Sequence, residues 1–122
     1  TQKETTTMRK ETQKIAKAFY NRRAASAART STSGEVVNLH GHIIAWRTLD
    51  GDIGFSLKGW PTVTTRERIN GILSTFGYGR WGVAQRGGKQ YLVLGAEKMM
   101  PIGDDEHFYI SDLKGMESLQ TA

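Results

Sequence analysis

Cysteine is absent from the 122 residues, which excludes a disulfide frame and any thiolate metal site. No apolar run approaches the roughly 18 residues that span a bilayer, and the first residues lack the apolar centre of a secretion signal. Covalent catalysis loses its usual vehicles as well, since there is neither a Cys nor a Gly-x-Ser-x-Gly elbow. The one glycine-dense stretch, "GYGRWG", precedes a strand and lacks the Lys-Ser/Thr of a phosphate-cradling loop. There is no internal repeat. With 38% apolar and 24% charged residues the composition is that of a globular chain. The expectation is a soluble, cytoplasmic, non-enzymatic protein with no cofactor and no membrane contact.

What is present in excess is positive charge, and it is unevenly placed. Residues 1–33 hold eight Lys and Arg against two Glu, a net of +6, while the other 89 residues hold nine cations against ten acids, a net of −1. Such asymmetry is an argument about partners rather than about fold.

Residues 8–29 are good helix formers without Gly or Pro, and Ile15 and Phe19, like Ala16 and Tyr20, lie four apart as a thin apolar stripe. Lys10, Lys14 and Lys17 form a second stripe at the same spacing. Residues 1–7 are expected to fray, and "TSTSG" at 30–34 reads as a flexible linker. From residue 35 the pattern turns to strands: "EVVNL", "HIIAWRT", and "IGFSLK" after an Asp50-Gly51 pair suited to a type I′ turn. "TTRERINGILSTFG" then predicts a helix, with Thr64 and Glu67 as a capping box, Ile69, Ile72, Leu73 and Phe76 on one face, and Gly77 closing it. A second hairpin turns at Gly87-Gly88; "AEKMMPIGDDEH" reads as irregular, "FYISDL" as a short strand, and the end as frayed. The fold class expected is α+β: a small antiparallel sheet of five or six strands with one covering helix, preceded by a basic N-terminal helix or arm. The expected divisions are 1–33 arm and linker, 34–115 domain, and 116–122 tail.

Metal chemistry has few candidates. His40 and His42 in "HGH" could share a strand face, and Asp104, Asp105 and Glu106 beside His107 could hold a divalent cation. Turn chemistry and solvated loop acids explain both groups without a metal, so none is assigned. The arm is the stronger candidate: Arg9, Lys10, Lys14, Lys17, Arg22, Arg23 and Arg29 could neutralise a phosphate backbone. Arg66 and Arg68, in the first turn of the predicted helix, could extend that contact, and Trp60 and Trp81, at element ends, could stack on bases. The competing role for the arm is protein docking, including pairing of two copies through the N-terminal helix.

Residues 39–73, "LHGHIIAWRTLDGDIGFSLKGWPTVTTRERINGIL", carry an L-x-G-x-x-I-A strand, a G-W end and a T-T-x-x-R-I-N helix start. In this they resemble a group of small proteins encoded by tailed bacteriophages. The resemblance implies a context, the infected bacterial cell, and brings no catalytic activity and no functional residues. The expected function is nucleic-acid binding through the basic arm, with DNA ahead of RNA; the alternative is an inhibitor or modulator that docks on a host protein.

Overall fold

The computed structural model describes residues 9–96 and 98–121; residues 1–7, Met8, Glu97 and Ala122 lie outside the described residues. In chain order the elements are α1 (Lys10–Tyr20), β1 (Ala25–Ala27), β2 (Thr30–Thr32), β3 (Val36–Leu39), β4 (His42–Arg47), β5 (Ile53–Phe55), α2 (Val63–Thr75), β6 (Trp81–Arg86), β7 (Lys89–Leu94), β8 (Lys98–Ile102), β9 (Phe108–Tyr109) and α3 (Ile110–Thr121). The expected α+β class holds. Among the described residues six strands form one antiparallel sheet in the order β1-β2-β3-β4-β5-β9, and three form a second, β6-β7-β8.

Helix α1 belongs to this body. Ile15, Ala16 and Phe19 are buried with residues of both sheets and of α2 in one core. Three of the four residues of the apolar stripe thus pack within their own chain, while Tyr20 stays exposed. The helix was expected to reach residue 29 but stops at Tyr20, because Arg22 turns left-handed at φ 57. There Arg23 N–H donates to Ala18 O at 2.8 Å and Arg22 N–H to Phe19 O at 3.1 Å, the paired closure of a Schellman motif.

The expected linker at 30–34 is also corrected. Thr30 and Thr32 are buried in strand β2, and Thr32 Oγ1 donates to Val36 O at 2.7 Å while accepting Gly34 N–H at 2.9 Å. Short β-branched side chains fit beneath a helix where larger ones would push it away, and they satisfy the turn as well. Residues 9–33 thus supply a helix and two strands to the same domain as the rest.

Helix α2 runs beside α1 in the same direction: Thr12 lies next to Glu67 and Arg68, and the Phe19 and Phe76 rings are 5.7 Å apart. Its N-cap is Thr62, whose Oγ1 accepts Thr65 N–H at 3.1 Å, so the expected box of Thr64 with Glu67 does not form. Two residues earlier the chain is leaving Pro61, and Glu67 is drawn off to α1. At the other end Gly77, at φ 92, closes α2 as expected, with Tyr78 N–H on Leu73 O at 2.8 Å. Asn70 reaches the edge strand β6, accepting Val83 N–H at 2.7 Å and donating to Val83 O at 3.2 Å. That pair of bonds covers part of an otherwise open edge.

Three further expectations need correction. Asp50 is not left-handed; Gly51 alone is, at φ 88, with Thr48 N–H on Asp52 O at 2.9 Å, so the turn is not type I′. The supposedly irregular stretch contains β8, an edge strand where Pro101 removes no needed donor. The expected strand "FYISDL" and the frayed tail are β9 followed by α3, whose Ile110 and Leu113 are buried in the core. The Gly87-Gly88 turn forms as predicted, with φ 55 and 78.

Candidate nucleic-acid interface

Because Thr12, Ile15, Ala16 and Phe19 face inward, helical spacing puts Lys10, Lys14 and Lys17 on the opposite side, and all three are exposed. Arg9 at the N-cap and Arg22, Arg23 and Arg29 are exposed as well. The 11-residue helix is about 16 Å long at 1.5 Å per residue. A ridge of that length spans roughly five phosphates of one duplex strand. The acids at hand are few: Glu11 on the helix, Glu67 at its start, and Glu35, which lies 3.4 Å from Arg22 with both side chains about 60% exposed. An ion pair that open to water is worth little and yields readily to a competing anion.

The ridge is held from beneath by a residue that sequence reasoning did not single out. Arg47 donates from Nε to Gly34 O at 3.0 Å and from Nη2 to Phe19 O and to Tyr20 O, taking up carbonyls at the end of α1. Its guanidinium also lies 4.8 Å from the centre of the Phe19 ring and 5.7 Å from that of Phe76. Burial lowers the Arg47 pKa from its ordinary value, the Arg22 cation lowers it further, and Glu35 opposes both. An arginine stays charged through such a shift. The available signal was a cation at the end of the run "HIIAWR", two residues beyond the buried Ala45 on an alternating strand.

Gly34 completes the support. At φ +98 its missing Cβ would sit 2.6 Å from Arg22 C and 2.8 Å from Arg22 O. The turn that presents Arg22 and Arg23 therefore rests directly on glycine backbone.

The remaining predicted residues separate from this surface. Arg68 is 3% exposed and engaged inside the protein: Nε donates to Thr30 Oγ1 at 2.9 Å, and Nη1 to Thr12 Oγ1 at 2.7 Å and Glu67 Oε1 at 2.6 Å. Glu67 also accepts Thr12 Oγ1–H at 2.5 Å and Arg9 N–H at 3.3 Å, so this node pins α1 to α2 and β2. Arg66 is half-buried and tied to Pro61 O at 2.9 Å, Gln90 Oε1 at 3.0 Å and Gln85 Oε1 at 3.2 Å. Trp81 is buried, its indole N–H donating to Glu117 Oε2 at 2.8 Å. Arg68 and Trp81 have no surface to offer a ligand. Trp60, 51% exposed, does.

The metal candidates are dispersed. His40 and His42 border one cavity, whereas His107 packs on Trp46 with ring centres 4.8 Å apart. Glu106 Oε1 is engaged by Gly103 N–H at 2.8 Å. Among the described residues no three His, Asp or Glu side chains come together as a metal site. No helix of the described residues is long and apolar enough to cross a membrane.

A small mixed α+β domain carrying a solvent-facing cationic helix is thus the class that sequence and fold define. Residues 8–114 match the family described as Kyanoviridae Gp96 protein, and the chain belongs to that family of phage proteins. No curated protein and no solved structure matches the chain.

Proposed function

We propose that this phage protein binds nucleic acid without acting on it chemically, laying the exposed side of α1 along a phosphate backbone. The carrying observation is the ridge itself: Lys10, Lys14 and Lys17 face water directly opposite a buried stripe, continued by Arg22 and Arg23. Binding of this kind draws its free energy from counterion release and is largely indifferent to sequence. DNA, in the cytoplasm of the infected cell, is the favoured polymer. The test is a salt titration of full-length protein on random-sequence DNA by fluorescence anisotropy. A slope of log K against log salt near −4 to −6 is expected for about five to seven neutralised phosphates. A flat salt response, or no binding at low salt, refutes the proposal.

A second reading, docking on a host protein, draws on a different surface. Trp46 lies across Gly54, with Tyr109 at 6.0 Å and His107 at 4.8 Å between ring centres, beside the exposed acids of residues 104–106. The Lys58 ammonium lies over the Trp46 ring at 5.4 Å, so the patch mixes rings with both signs of charge, which suits a protein partner better than a polyanion. Pull-down from bacterial lysate with and without nuclease separates the two readings: a nuclease-resistant protein partner lost on Trp46→Ala supports the second.

A further inference from the structure

Arg29 and Trp60 meet at a second surface feature. They frame a cavity of about 530 Å³ whose floor is Leu39, Ile44 and Leu57 and whose walls include His40 and His42. Three tight turns deliver these walls. Ala28–Arg29, His40–Gly41 and Lys58–Gly59 each place two successive residues at positive φ, a backbone state that L side chains resist. His40 N–H donates to Arg29 O at 3.1 Å, which fastens the first two turns together. The rings of His42 and Trp60 stand 5.5 Å apart at 42°, an open wedge rather than a closed stack. No Asp or Glu is among the residues lining the cavity.

We infer that this cavity receives one nucleotide whose base is unpaired. The base lies over the aliphatic floor against Trp60 and His42, and its phosphate faces Arg29 and His40. The chemistry recommends this ligand over others. An aliphatic floor with a half-exposed indole offers a flat π-face what it needs, and acid-free walls that carry the Arg29 cation suit the attached phosphate. The volume falls in the range of small-molecule sites. A base inside a duplex cannot enter a concave site unless it first leaves its stack. Where the ligand is a polymer, the inference rests on the reading of α1 as a backbone-binding ridge. It then adds that single strands, strand ends or opened duplexes are preferred to closed duplex.

The experiment uses full-length protein with two probes: a 12-nucleotide oligothymidylate against a duplex of equal length at one salt concentration, and deoxythymidine monophosphate alone. The single strand should bind at least about tenfold tighter than the duplex. Trp60→Ala should remove that preference, Trp60→Phe should restore most of it, and both should leave the salt slope unchanged, since stacking is independent of counterions. The monophosphate should perturb tryptophan fluorescence in the wild type and not in Trp60→Ala, with inorganic phosphate as the blank. Salt-steep binding that is equal for both polymers and untouched by Trp60→Ala overturns the cavity while leaving the ridge. Binding of the monophosphate without the polymers supports the cavity as a free-nucleotide site and overturns the ridge. Silence with every probe overturns both.

Discussion

Helices α1 and α2 lie side by side, point the same way and close with the same hydrogen-bond pattern, yet they use charge in opposite ways. On α1 the cations face water, because only one side of the helix is covered. On α2 they are taken inward: Arg68 is sealed among Thr12, Thr30 and Glu67, and Arg66 is tied to a loop and to the β6–β7 hairpin. The closures differ in the same sense. Gly77 occupies the left-handed position of α2, where it meets no steric penalty, and Arg22 occupies that of α1, where a side chain is strained. A cation counts toward a binding surface only when its neighbours leave it unsatisfied.

The sharpest break in this comparison comes from Arg68→Ala. It strands Glu67 in a partly buried site and leaves two threonine hydroxyls without their donor, so a loss of about 3–5 kcal/mol in urea unfolding is expected. Nucleic-acid affinity of the fraction that remains folded should hardly change. Next comes Gly34→Ala, where a Cβ at φ +98 would collide with the Arg22 carbonyl. Strain and overpacking together should cost roughly 2–4 kcal/mol and displace Arg22 and Arg23, lowering affinity as well.

The reverse pattern belongs to the triple substitution Lys10→Ala, Lys14→Ala and Lys17→Ala. Unfolding free energy should move by less than about 1 kcal/mol, as at exposed sites generally. DNA affinity should fall some 10- to 100-fold at low salt, with the salt slope smaller by about three. The smallest effect distinguishes the two closures. Arg22→Gly should stabilise the protein by about 1 kcal/mol while weakening DNA binding several-fold, an opposition that a purely structural role for Arg22 would not produce.

Legibility followed locality. Helix α2 was readable because Ile69, Ile72, Leu73, Phe76 and Gly77 carry its face and its end within nine residues, and the Gly87-Gly88 turn needs no context at all. The exposed Lys stripe of α1 was readable for the same reason. The end of α1 and the turn between β1 and β2 were not, since Arg22 at the first and Ala28 and Arg29 at the second adopt left-handed backbone without the usual glycine. Apart from Arg29, residues 25–32 are only Ala, Ser and Thr, a composition that an edge hairpin and a flexible linker share. The burial of Arg68 depends on Thr12 and Thr30, and that of Trp81 on Glu117, partners 56, 38 and 36 positions away. No local pattern reports such distances.

The insertion of α1, β1 and β2 into the common core bears on how this molecule can be taken apart and how it can change over time. Cutting away the first 33 residues would unroof Val37 and Leu39 and lay bare the flank of β3, inviting strands from other chains. Helix α1 is consequently not a detachable module that a lineage could shed or swap. Its outward lysines, each free of packing duties, are the parts on which selection can act singly.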